Sequence, residues 1–120
     1  MLEKVIMVVD DERSIREFVK AILHKEGLQT IEAGDGIEAF NLVQEFGKDI
    51  ALLLTDIKMP RMDGVSLAES VRELYPRMPV LFISGFTDPD PRDSLMRAYS
   101  VLAKPFLPQT LVKAVQELLT

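Results

Sequence analysis

The chain reads as short apolar runs alternating with amphipathic stretches. Residues 5–9 (Val-Ile-Met-Val-Val) form a continuous β-rich run, the pattern of a strand covered on both faces. Ile15, Phe18, Val19, Ile22 and Leu23 then recur at helical spacing, with Gly27 as a stop. A short second strand is predicted at 28–31. Asp35-Gly-Ile-Glu38 has the form of a capping box opening a second helix, whose inner face is Ile37, Phe40, Val43 and Phe46. The run at 50–55 predicts a third strand, and Val65, Ala68, Val71 and Leu74 mark a third helix. Pro76 and Pro79 bracket a turn before a fourth strand at 80–83. Pro89 and Pro91 leave room for only a short fourth helix at 92–99. A fifth strand follows at 100–103. The last helix carries Leu111, Ala114, Val115 and Leu118 inward, with Pro108 suited to its first turn.

Strands alternating with helices imply βαβ crossovers and a parallel sheet with helices on both faces. The predicted fold is therefore α/β, a (βα)5 doubly wound parallel sheet. Of the competing strand orders, the flavodoxin-like order 2-1-3-4-5 suits five strands; it is taken from known doubly wound folds, not from these residues. It places the ends of strands 1 and 3 side by side at the switch point, where open α/β sheets bind ligands. Asp10, Asp11 and Asp56 would meet there, and Ser84 and Lys104 would end strands 4 and 5 at the same edge. The 120 residues suit one domain, 1–120, with one core and no linker or repeat.

Composition narrows the function classes. No apolar run approaches the roughly 18 residues of a membrane span, and the run after Lys4 is too short for a signal peptide. The absence of cysteine excludes disulfides and thiolate metal sites and suits a reducing cytoplasm. A net charge of -5 without a basic cluster argues against direct nucleic-acid binding. The single histidine, His24, cannot build a His-rich metal site and reads as a surface residue.

The carboxylates carry the chemistry. Three gathered together raise one another's pKa unless a cation joins them. Oxygen-only ligands point to a hard ion, and Mg²⁺ usually keeps waters plus one or two carboxylates. Asp56 facing such an ion can attack phosphorus and form an acyl phosphate. The metal and Lys104 would neutralise charge on the transferring phosphoryl group, and Ser84 could hydrogen-bond its remaining oxygen. Each residue alone has a plainer explanation. Asp10 or Asp11 could cap the first helix, Asp56 and Ser84-Gly85 could be turn residues, and Lys104 could be a solvated charge. Their joint placement at four strand ends outweighs these explanations.

Four segments stand in order: Val8-Val-Asp10-Asp11-Glu12, Leu54-Thr-Asp56-Ile-Lys58-Met-Pro60-Arg-Met-Asp-Gly64, Ile83-Ser84-Gly85 and Ala103-Lys104-Pro105-Phe106. With them, essentially the whole chain resembles the receiver domain of two-component response regulators. The resemblance implies that Asp56 accepts a phosphoryl group from the phosphohistidine of a histidine kinase or phosphotransfer protein. Asp10, Asp11, Asp56 and the Lys58 backbone carbonyl would hold Mg²⁺, and Ser84 and Lys104 would contact the phosphoryl oxygens. Pro105 would follow a cis bond. Phosphorylation would favour an active arrangement of the face built from the fourth helix, fifth strand and fifth helix, which docks a downstream protein or a tethered domain. A homodimer would use that face, through Met96, Tyr99 and exposed residues of the last helix. The expectation is a cytoplasmic switch that phosphorylates and dephosphorylates itself, not a turnover enzyme. It signals by docking, or is a piece of a longer chain.

One departure and two tuning positions bear on behaviour. Family members usually carry Tyr or Phe three residues before the lysine, where this chain has Val101, with Tyr99 two residues earlier. In the family that the chain resembles, the positions of Lys58 and Phe86 commonly tune acyl-phosphate lifetime. Ser-Gly-Phe86 and the proline-rich segment after it are similar to receivers attached to hybrid histidine kinases. A phosphohydrolase of the haloacid dehalogenase type is the alternative enzyme, but it resembles Asp-x-Asp at the nucleophile, where this chain has Asp56-Ile-Lys58. A flavin module fits poorly, because acids follow the first strand. Val101 keeps open a third reading, a docking domain that works without phosphorylation.

Overall fold

Five parallel strands hold the core because their side chains alternate between two apolar layers. The computed structural model describes residues 4–85 and 99–120. The strands are β1 (Val5–Val9), β2 (Thr30–Ala33), β3 (Ile50–Asp56), β4 (Val80–Ser84) and β5 (Ser100–Ala103). They pair in parallel in the order β2-β1-β3-β4-β5, as expected. Met7, Val9, Leu53 and Phe82 point to one face, where α2 (Gly36–Phe46) and α3 (Gly64–Leu74) cover them. Ile6, Val8, Leu52, Leu54, Leu81 and Ile83 point to the other, under α1 (Arg13–Lys25) and the C-terminal helix (Pro108–Leu119). Leu residues on both faces of β3 explain why it reads as a continuous run: the central strand has no solvent side.

The described residues hold four α-helices, and the predicted helix at 92–99 lies outside them except for Tyr99. Pro108 opens the C-terminal helix, as expected. The Lys104-Pro105 bond is cis. The Asp35 carboxylate accepts from the Glu38 amide at 2.8 Å and caps α2, while Glu38 accepts from Gly34 rather than from Asp35.

Three faces differ from expectation. In α2 the buried residues are Gly36, Ala39 and Val43, and Ile37 and Phe46 are exposed. In α3 Leu67 is buried and Leu74 exposed. In α1 Val19 and Leu23 are buried while Phe18 lies outside, its ring 5.9 Å from that of Phe106. Gly36 and Gly47 explain the rotation of α2: a Cβ on Gly36 would stand 2.3 Å from the Met62 carbonyl, and one on Gly47 2.3 Å from the Tyr75 ring. Backbone contact through small residues brings that side inward, where apolar periodicity alone favoured the larger side chains.

Strand β2 begins two residues later than predicted. Gly27, at φ 78°, ends α1 with its amide on the His24 carbonyl, and the Leu28 amide reaches the Leu23 carbonyl. This is a Schellman closure, and it uses Leu28 as a hydrophobic cap beneath α1 instead of as the first strand residue.

Candidate functional site

The strand register aligns the C-terminal edge residue by residue. Val9 pairs with Thr55, Asp56 with Ile83, and Ser84 with Ala103, so the next residues of β1 and β5 are Asp10 and Lys104. The Lys104 amide donates to the Ser84 carbonyl at 2.8 Å and carries its side chain back over the edge. Its ammonium donates to Asp56 Oδ2 at 3.1 Å and to Asp10 Oδ2 at 3.3 Å.

Asp10 and Asp56 are buried, whereas Asp11 is exposed. Asp10 does not cap α1. Its Oδ1 accepts from the Glu12 amide at 2.9 Å, and Glu12 itself is the N-cap residue. Burial pushes the Asp10 pKa up, and the Asp56 charge adds to this; the Glu12 amide and Lys104 oppose the rise without cancelling it. Burial pulls Lys104 down, yet its hydrogen bond to Asp56 and the charges of Asp56 and Asp10 outweigh that and hold it above its ordinary value. One lysine thus serves two buried carboxylates, with a third beside them. Ligand oxygens of Asp10, Asp11 and Asp56 lie within 4.8 Å of one another. The donors are all oxygen and their charge exceeds what Lys104 supplies, so the set fits a hard divalent cation.

Asp56 is positioned by the loop that follows it. Gly64 donates to the Ile57 carbonyl at 2.7 Å, and a Cβ on Gly64 would stand 2.1 Å from the Asp56 carbonyl oxygen. Only glycine lets the start of α3 approach the acceptor strand so closely. The loop is also tied to α2, through an Arg61–Asp35 ion pair with Arg61 at φ 67° and through the contact of Gly36 with Met62. Asp63 caps α3 by accepting from the Ser66 amide at 2.8 Å. The resulting cleft is lined by Asp11, Asp56, Lys58, Ser84 and Lys104.

A model of the response regulator receiver domain matches residues 6–116. The chain belongs to that family. As a receiver of two-component response regulators it carries the implied phosphoacceptor role. It is 36% identical to the response regulator receiver protein CpdR of Brucella abortus, covering 97% of both chains. It is also 29% identical to the sensor kinase CckA of the same organism, over 95% of this chain but 12% of that relative. Among solved structures, a response regulator receiver domain protein from Clostridium thermocellum superposes with a TM-score of 0.88 at 27% identity, covering 97% of this chain and 94% of the other.

Within this receiver, Asp10, Asp56 and Lys104 are in direct contact and Asp11 stands beside them. Ser84 lines the cleft, but its hydroxyl donates to the Gly85 carbonyl at 3.3 Å. Phe86 and Met96 lie outside the described residues. Tyr99, expected on the dimer face, turns inward instead. Its ring meets Phe82 edge-on at 5.2 Å and lies 4.4 Å beneath the Arg72 guanidinium. Val101, in the usual aromatic position, is 41% exposed. Sequence reasoning placed Gly64 in the loop after Asp56 without seeing its close approach to that residue, and passed over Arg16. The turn before α3 hid that approach, and Arg16 reads as an ordinary helix-surface charge, although a cation in a first helical turn opposes the helix dipole.

Proposed function

We propose that Asp56 is the phosphoacceptor of this receiver and takes a phosphoryl group from the phosphohistidine of a histidine kinase or phosphotransfer protein. An Asp56 oxygen forms the new bond to phosphorus as the phosphorus–nitrogen bond breaks, and the departing imidazole keeps the electron pair and takes up a proton. The observation that carries this reading is Lys104 on Asp56 Oδ2, with the Asp10 and Asp11 carboxylates gathered at the same strand end. Asp10, Asp11, Asp56 and the Lys58 carbonyl are the residues assigned to Mg²⁺, which when bound would offset charge on the transferring group. Lys104 would exchange its Asp56 oxygen for a phosphoryl oxygen, and the Ser84 hydroxyl would leave the Gly85 carbonyl for another.

The new anion would shift the face that includes β5 and the C-terminal helix, so that a downstream protein or tethered domain docks there. The reaction is self-phosphorylation and autodephosphorylation in the cytoplasm, without turnover of a separate substrate. Among the described residues no helix is long and apolar enough to cross a membrane. A second reading, docking without phosphorylation, draws on the exposed Val101 where an aromatic switch would stand.

Intact mass after incubation with acetyl phosphate and Mg²⁺ tests the proposal. The expected result is one added phosphoryl group, absent from Asp56→Ala and from samples without Mg²⁺. Beryllofluoride binding covers rapid hydrolysis. Failure of both would move the assignment to the unphosphorylated docking domain.

A further inference from the structure

Every hydrogen-bonding group of Asp10 has a partner, and Arg16 is the one side chain among them that belongs to no segment that marks the family. The Asp10 amide donates to the Ala33 carbonyl at 3.2 Å, and its carboxylate takes Glu12 and Lys104. Its carbonyl accepts from Arg16 Nη1 at 2.6 Å. That carbonyl is half of the Asp10–Asp11 peptide, so the guanidinium holds the plane from which the exposed Asp11 side chain projects.

Arg16 is itself held. Its Nε stands 3.5 Å from Glu32 Oε1, whose other oxygen takes Lys20 at 3.2 Å, and its side chain is only 18% exposed. It lies in the N-terminal part of α1, whose first turn contains no acidic residue, and the helix dipole disfavours a cation there. The partners just past the end of β1 and on β2 offset that cost. A fork with several donors can hold the carbonyl and Glu32 together, whereas a lysine ammonium could not span both in the same geometry.

We propose that Arg16 is a positioning residue: through the Asp10 carbonyl it orients Asp11 toward Asp10 and Asp56 and so sets the receiver's affinity for a divalent cation. The proposal rests on the Mg²⁺ assignment above. Bare charge and positioning predict opposite signs. Removing a positive charge near a cation site should tighten Mg²⁺ binding, whereas releasing the Asp10–Asp11 peptide should weaken it.

Calorimetric titration with Mg²⁺ on the full chain, alongside thermal unfolding, separates them. Arg16→Met keeps the aliphatic stem without donors and is expected to raise Kd roughly tenfold, the usual scale for loss of a group that orients a metal ligand. Arg16→Lys keeps the charge and fold and should weaken binding by less. Unchanged or tighter binding in Arg16→Lys, or in a folded Arg16→Met, would overturn the proposal while leaving the Mg²⁺ assignment intact. A wild-type chain that binds no Mg²⁺ would overturn both.

Discussion

Lys104 and Asp56 form an ion pair across the site, Nζ to Oδ2 at 3.1 Å, although 48 residues separate them in sequence. The Lys104 pKa is raised in the folded chain, against the pull of burial, by Asp56 and then Asp10. A raised lysine adds stability that is fully present below its ordinary value of 10.5 and is lost as pH rises through the folded value. Lys104→Met should therefore cost about 1 kcal/mol at neutral pH, since the pair is partly solvated. Urea unfolding carried from neutral into strongly alkaline pH should show wild type and variant converging. A gap that stays constant would refute this account.

Asp10 also has a raised pKa, but for an acid this has the opposite consequence at neutral pH. Its folded pKa lies above its ordinary 3.8, so its contribution is most favourable below that value and is lost as pH rises through the folded pKa. Ionised Asp10 thus opposes folding at neutral pH. Asp10→Asn should stabilise the metal-free receiver by about 1 kcal/mol and raise its melting temperature by a few degrees. The same variant should lose the further rise that Mg²⁺ is expected to give the wild type. Melting at or below the wild-type temperature without metal would contradict the assignment.

Gly64 makes a steric prediction. Gly64→Ala must displace the Asp56 backbone, since its Cβ would lie 2.1 Å from the Asp56 carbonyl oxygen. The expected cost is about 1–3 kcal/mol, with slower labelling by acetyl phosphate. Gly34→Ala is the control, because its Cβ would meet nothing closer than 3.6 Å and should leave stability within about 0.5 kcal/mol. Equal denaturation midpoints for the two variants would rule out the close approach as the cause.

Asp35 joins the α2 cap to the acceptor loop. Its carboxyl is held below the usual range first by the Glu38 amide and then by Arg61. A lowered carboxylate contributes stability above its ordinary 3.8, and that contribution is lost as pH falls through the folded value. Asp35→Ala should cost about 1 kcal/mol at neutral pH and progressively less in acid. Guanidinium midpoints at neutral and acidic pH measure the difference, and an equal deficit at both would exclude the carboxylate as its source.

Tyr99 and Val101 should separate cleanly. Tyr99→Ala removes a ring packed on Phe82 and beneath Arg72, and should cost about 2 kcal/mol. Val101→Ala at an exposed site should cost less than about 0.5 kcal/mol. Similar losses in chemical denaturation would mean that the Tyr99 contacts contribute little.

Local pattern by itself determined the alternation of strands and helices, the acids at two strand ends, and the lysine and serine at two others. Continuous apolar runs and helical spacing are properties of neighbouring residues, so they survive without knowledge of the fold. Boundaries and faces were less legible. Leu28 became a helix closure instead of a strand residue, and Ile37, Phe46 and Leu74 faced out, because glycine contacts and neighbouring elements set helix rotation. Only the tertiary structure decided that Asp10 is buried while Asp11 is exposed, that Lys104 serves two carboxylates, and that Arg16 holds the peptide between the acids. The Lys104–Asp10 contact spans 94 residues. Strand order creates such contacts, and no local run of residues encodes it.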